Sequence, residues 1–313
     1  MSLTSDLMVD RRRLRRQLTF WRAVAVLVAL GAIIGAGLFW GGNALQGGRP
    51  HIARITLEGL ITGRQDTIDL LRRADNDAVK AVILRINSGG GTTSGSEALY
   101  NEVRRLSAKK PVVAVIDGVG ASGAYMTAMG AERIVANGSA LVGSIGVIAQ
   151  IPNVSKLLDT VGVKVEAVRS TPLKAMPNGM EPTSPEARAA LEETVADTYR
   201  WFRAMVGERR KLEGDALQKV ADGRVFTGRQ ALTLKLIDAL GNERDAIAWL
   251  ESEKGLAKDL AVRPYTVRQN INRIPGLTAL ASLLGVAISD TARDLMGAGA
   301  LDGLVSVWHP SGQ

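Results

Sequence analysis

VKAVILRINSGGGTTSGSEALYNEVRRLSAKKPVVAVIDGVGASGAY, residues 79–125, carries the clearest architectural pattern in the chain. It contains two β-branched runs, Val79–Asn87 and Pro111–Asp117. Runs apolar at nearly every position belong in a sheet covered on both faces. The first run leads into a glycine-rich loop, Ser88–Gly95, and the second is closed by Gly118. Helical spacing follows each corner, over Ser96–Ser107 and Ser122–Ala131. Strand, corner and helix in repetition predict an α/β fold with helices outside a largely parallel sheet.

The pattern extends in both directions. His51–Glu58 reads as a strand and Gln65–Ala74 as a helix. Arg133–Ala136, Leu141–Ala149 and Lys164–Val168 read as further short strands. Asn153–Thr160 is a helix with Asn153 as its cap, and Pro185–Lys211 a long amphipathic helix capped by Thr183 or Ser184. No internal repeat or low-complexity tract interrupts the chain.

Five segments follow from composition: a basic head (1–22), an apolar run (23–40), a Gly-rich linker (41–50), the α/β body (51–255) and a tail (256–313). The head holds six arginines against Asp6 and Asp10, half of the net charge of +8. Ala23–Trp40 carries no charge over 18 residues, with Phe20, Trp21, Phe39 and Trp40 at its two ends. About 20 apolar residues cross a bilayer as a helix, and arginines before such a run hold its N-terminus in the cytoplasm. The run therefore reads as a signal anchor, with a cleaved signal peptide and a buried helix as alternatives. In the tail, Leu277–Ser289 is too short to span and reads as a docked interface helix or a membrane-surface contact.

The chain has 313 residues, no cysteine, and only His51 and His309 as histidines. Disulfides, thiolate catalysis and zinc fingers are excluded, and neither a metal site nor a cofactor is expected. A Ser-His-Asp triad is hard to build from two histidines so placed. A basic head followed by an apolar run does not indicate nucleic-acid binding.

Two corners carry candidate chemistry. Asn87–Ser94 sets three consecutive glycines after a buried strand, where backbone N–H groups can approach a phosphate or an oxyanion, or where the chain simply turns. Gly118-x-Gly120-x-x-Gly123 matches the dinucleotide fingerprint, but no acidic residue lies about 20 residues on to hold a ribose. In the same corner Ser122 stands between glycines at a strand-to-helix turn, either as an exposed nucleophile or as a helix cap. A serine nucleophile needs a base, and a lysine serves when burial deprotonates it. Lys174 is the candidate, flanked by Leu173, Ala175 and Met176 in a loop stiffened by Pro172 and Pro177.

The ordered motifs resemble the short-form SppA-type signal peptide peptidases, Ser-Lys proteases of the Clp protease/crotonase superfamily, over roughly residues 51–255. They are Ile86–Gly91, Gly120–Tyr125, Gly143–Val147, Ser170–Lys174 and Ala221–Gln230. The resemblance implies a spiral of ββα units, with Ser122 as nucleophile, Lys174 as general base and Ser144 orienting Lys174. It also implies backbone donors to the oxyanion at Gly91, or Gly90 in its place, and at Gly123. Gly89 stands where the family has proline, and Ala124 where it has a second glycine. The implied substrates are remnant signal peptides and other apolar peptides. The implied assembly is a homo-oligomer whose sites are completed between protomers. The implied location is the bacterial inner membrane, with the catalytic domain outside. Val119, Ala121, Val147 and Ile148 are candidate pocket walls. Thioester chemistry of the crotonase kind and a catalytically silent scaffold are the competing readings.

Overall fold

A computed structural model describes residues 18, 20–31, 48–267 and 305–307. The chain divides into two units, Met1–Pro50 and His51–Gln313. In the first, residues 20–31 form helix α1, with Trp21, Leu27 and Val28 among its exposed side chains. No helix among the described residues is long and apolar enough to cross a membrane. Residues 32–40 of the expected anchor lie outside the described residues, as do His309 and Leu277–Ser289.

In the second unit, β1 (His51–Ile61), α2 (Gln65–Arg73), β2 (Val79–Thr92), α3 (Thr93–Ser107), β3 (Val112–Ala121) and α4 (Gly123–Ala128) come first. They are followed by β4 (Arg133–Ala136), β5 (Leu141–Gly143), α5 (Ser155–Thr160), α6 (Pro185–Arg210), α7 (Gly214–Val220) and β6 (Val225–Thr227). The described residues end with α8 (Gly228–Thr233), β7 (Ala239–Leu240), α9 (Glu243–Lys254), β8 (Val262–Tyr265) and β9 (Val305–Val307). The result is a mixed α/β fold around a central sheet, ordered β6-β5-β3-β2-β1-β8, with β4 and β9 branching from β3 and β2 and β7 beyond β4. All pairs are parallel except β6 on β5 and β9 on β2.

The apolar runs fill both faces of the sheet, as alternate residues of a strand point to opposite sides. Val82, Leu84, Ile86, Ala114 and Ile116 join Leu71, Leu99, Val103, Tyr125 and Phe202 in the larger core. Ala81, Ile83, Val113 and Val115 face the other way, onto Ala246 and Leu250 of α9. A fully buried aliphatic side chain of this kind is worth roughly 1.5–3 kcal/mol.

β3 forks the sheet. Val113–Ile116 pair with Arg133–Ala136 of β4, whereas Val119–Ala121 pair with Leu141–Gly143 of β5. Asp117 and Gly118 lie between the two pairings and belong to neither.

Several sequence expectations need correction. Ser88–Thr92 is not a loop but the end of β2, because it is paired by Leu60 and Ile61 of β1 on one side and by β9 on the other. Gly118 does not close β3, which runs on to Ala121. β5 stops at Gly143 rather than Ala149, since Gly143 (φ +99°) and Ser144 (φ +51°) leave extended geometry. Lys164–Val168 forms no strand; it meets no partner strand among the described residues, and Val168 is fully exposed. α5 starts at Ser155, with the Asn153 side chain accepting from the Ser155 N–H at 3.0 Å. α6 is capped by Ser184, whose Oγ accepts from the Ala187 N–H at 3.1 Å.

Gly91 shows how closely β1 and β2 approach: a Cβ there would lie 1.7 Å from the Ile61 carbonyl oxygen. Gly91→Ala must push backbone aside, a cost of about 1–3 kcal/mol for overpacking of this kind. Urea denaturation of the variant should show a loss in that range, whereas an unchanged midpoint would mean that the two strand ends are not packed this tightly.

Candidate active site

Ser122 sits one residue beyond β3 and one before α4. Its backbone angles are φ +56° and ψ −121°, a region that a non-glycine residue enters at a cost of order 1–3 kcal/mol. The surrounding backbone holds it there. The Ser122 N–H donates to the Gly143 carbonyl at 2.7 Å, and its own carbonyl accepts from the Met126 N–H at 2.9 Å. The helix-cap reading fails, because the Ser122 side chain makes no capping hydrogen bond to α4. Ser122 is 1% exposed.

Ser144 lies beside it. Ala121 and Gly143 are partners in the β3–β5 ladder, so Ser122 and Ser144 are the next residues on adjacent parallel strands. Both have positive φ, and the Ser144 N–H donates to the Arg224 carbonyl at 2.8 Å. The Ala221–Gln230 motif thus enters the site region through β6, which pairs with β5 and fixes where that strand ends.

The glycine corner is the third part. Ser88 faces Gly120 across the β2–β3 ladder, so the corner lies at the same end of the sheet as Ser122. Gly90 has φ +109°, and its N–H donates to the Ser88 Oγ at 3.0 Å. Gly91 lies opposite Ile61 of β1 and Ser306 of β9. Gly123 opens α4 and is buried.

Lys174 is placed differently from the sequence expectation of a poorly solvated site. It is exposed, and its ammonium makes no hydrogen bond or ion pair with the described residues, Ser122 and Ser144 included. Its loop is nevertheless ordered by local ties. The Lys174 N–H donates to the Thr171 carbonyl and the Met176 N–H to the Leu173 carbonyl, each at 3.1 Å. The Met176–Pro177 peptide is cis. Asn178 Oδ1 accepts from the Met180 and Glu181 N–H groups, each at 3.0 Å, and Arg169 pairs with Glu181. The Arg169 hydrogen bond, with a smaller contribution from Asn178, holds the Glu181 carboxyl below its usual range.

His51 cannot serve Ser122 as a base. It lies opposite Val79, at the other end of the sheet from Ser88, nine strand residues or roughly 30 Å away. There its ring meets the Tyr265 hydroxyl at 3.1 Å. The dinucleotide reading also fails, because Gly118 and Gly120 lie inside β3 rather than in a loop opening a helix. Among the described residues, no cluster of three or more His, Asp or Glu is grouped as metal ligands are.

A cavity of about 640 Å³ begins directly after Ser144. It is walled by Ile145–Ala149, by Leu191, Val195 and Tyr199 of α6, and by Ala221–Gly223. Val147 and Ile148 line it as expected from sequence; Val119 and Ala121 do not. The contribution of α6 was not legible beforehand, since an apolar stripe on a long helix reads equally well as core.

Residues 104–257 match Peptidase family S49. A protein of Synechocystis sp., named as a protease, is 37% identical over 213 residues, covering 67% of this chain and 77% of its own length. The chain belongs to peptidase family S49, the SppA-type serine peptidases. Serine protease SPPA, chloroplastic, of Arabidopsis thaliana is 30% identical over 267 residues, covering 80% of this S49 chain and 39% of its own length. Among solved structures, a mutant of the 1510-N membrane-bound stomatin-specific protease aligns with a TM-score of 0.43 at 15% identity, covering 70% of this chain and 98% of that one.

The backbone of Ser122 makes its own prediction. Glycine tolerates positive φ without the Cβ penalty, whereas alanine keeps that penalty. Ser122→Gly should therefore be more stable than Ser122→Ala by about 1 kcal/mol in chemical denaturation. The reverse order would show that the turn is not strained.

Proposed function

We propose that this S49 peptidase is a membrane-anchored endopeptidase with a Ser122–Lys174 dyad, cutting remnant signal peptides and other apolar peptides through an acyl-enzyme. The observation that carries this reading is Ser122 itself: a buried serine, held at φ +56° on a strand-to-helix turn, that does not cap its helix. Strain of this kind, maintained by surrounding structure, clusters at nucleophile turns.

In the proposed reaction, Ser122 Oγ attacks the scissile carbonyl and its proton passes to the Lys174 amine. The developing oxyanion is met by the Gly91 N–H, with Gly123 as second donor. Gly91 is preferred over Gly90 because the Gly90 N–H is already donated to Ser88 Oγ. Lys174 returns the proton to the leaving amine, then activates the water that hydrolyses the ester. Ser144, one residue beyond the ladder pair Ala121–Gly143 as Ser122 is, orients Lys174.

A lysine acts as a base only when neutral, and burial among apolar groups favours that state. Lys174 is exposed in the single chain, and so are Val161, Val163, Val168 and Leu173 in the segment that precedes it. Exposed apolar surface of this kind marks interfaces. We therefore read the active unit as a homo-oligomer in which one protomer's Lys174 loop is laid against another's Ser122. The cavity beside Ser144 has an apolar part, formed by Val147, Ile148, Leu191 and Val195, that suits an apolar peptide side chain, with Arg188, Glu192 and Asp222 also in its wall. The antiparallel seat of β9 on Gly90–Thr92 supports an edge that accepts an extended backbone, as a peptide substrate would present. The successive β–α units and the forked β3 support a spiral of the Clp protease/crotonase kind. The uncharged run Ala23–Trp40, preceded by arginines, supports a single-pass anchor in the bacterial inner membrane with the peptidase unit outside.

Turnover of a fluorogenic apolar peptide by detergent-solubilised full-length protein tests the dyad and the shared site together. Ser122→Ala and Lys174→Ala should each lose about 10³-fold or more. Co-assembly of the two inactive chains should restore about a quarter of wild-type turnover if sites are shared between neighbours at random. An active Lys174→Ala protein would exclude Lys174 as the base. Silent mixed oligomers would place each dyad within one chain.

A further inference from the structure

β2 is out of step with both of its neighbours immediately before the glycine corner. On the β1 side, Glu58 faces Asn87 and Leu60 faces Gly90, so Gly59 stands opposite both Ser88 and Gly89. On the β3 side, Ile86 faces Ile116 and Ser88 faces Gly120, so residues 117–119 stand opposite Asn87 alone. A bulge of this kind leaves the extra residues unpaired and disrupts the ladder locally. The disruption falls at the residues that aim Gly90 and Gly91.

Side chains bridge the gap on both sides. Ser88 Oγ donates to the Gly59 carbonyl at 2.6 Å and accepts from the Gly90 N–H at 3.0 Å. Asn87 Oδ1 accepts from the Val119 N–H at 3.1 Å, three residues before Ser122. Ser88 is 3% exposed, so water does not replace these bonds readily. Gly89 has no partner in either ladder and cannot stiffen the corner with a side chain of its own.

We propose that Ser88 is a positioning residue of the peptidase site. Its hydroxyl clamps the bulged end of β2 to β1 and takes up the Gly90 N–H, which sets the direction of the Gly91 N–H towards the oxyanion. Ser88 touches no reacting atom; it acts through the backbone of Gly90 and Gly91. The inference rests on the proposed oxyanion role of Gly91, and it assigns the preorganisation of that donor to one side chain. A flexible glycine run is thereby held in a single conformation without proline.

The test compares Ser88→Val with Ser88→Thr, a pair of similar shape that differs in the hydroxyl, in the full-length oligomer and per titrated active site. Loss of a correctly aimed oxyanion donor costs up to about 10²–10³ in kcat, and misdirection of one donor should cost about 10–100-fold. Ser88→Val should lose that factor in kcat with KM nearly unchanged, and Ser88→Thr should retain most of it. A peptide boronate, whose tetrahedral adduct places an oxygen in the oxyanion position, should weaken by the same factor against Ser88→Val. Restricting the backbone by Gly89→Pro should recover part of the loss, because proline limits φ at a position outside the ladders. Equal kcat in the Thr and Val variants overturns the inference, and so does a loss confined to KM. If Ser122→Ala also turns over normally, the proposed function itself has failed. If Ser122→Ala is silent while Val and Thr are equal, only the role of Ser88 has failed.

Discussion

The hydrogen bond from the Ser122 N–H to the Gly143 carbonyl holds the site together. It ties the end of β3 to the end of β5 at the point where both strands leave extended geometry. Ser122 would relax from φ +56° if its N–H were released, and the strand-to-helix turn would lose its shape. The bond exists because β3 forks: its first half pairs with β4, its second with β5. Everything upstream of the site, including the two-faced apolar core, serves to deliver that second half in register.

The same logic explains why the glycines are needed. Gly91 admits the Ile61 carbonyl, and a side chain at Gly120 would collide with Ile116. These positions combine close backbone approach with side-chain braces from Asn87 and Ser88. The proposed site would thus be built mainly from main-chain groups whose directions are set by strand register, with few side chains doing the chemistry. That economy suits a protein with no cysteine and two histidines.

Much of this was legible in the sequence. The uninterrupted apolar runs Val79–Asn87 and Pro111–Asp117 specify a doubly covered sheet, because no other environment hides both faces. The corner at Ser122 was legible because a strand, a glycine-flanked serine and a helix follow one another. The glycine run Ser88–Thr92 misled, since glycine signals a turn locally, while its pairing with β1 and β9 is decided by residues distant in sequence. Lys164–Val168 misled for the opposite reason: its alternation fits a strand, but no strand among the described residues pairs with it. The position of Lys174 was not legible from flanking apolar residues, because those residues are themselves exposed in the single chain. Burial of that loop, as proposed, would be a property of an assembly, which local pattern does not encode.

Covalent trapping asks whether Ser122 is the nucleophile. The full-length oligomer would be treated with a fluorophosphonate, digested, and the modified residue located by mass spectrometry. A single stoichiometric adduct is expected on Ser122, absent when a competing apolar peptide saturates the site. An adduct on another serine, or an unmodified Ser122 in protein that still cleaves peptide, would exclude Ser122 as the nucleophile.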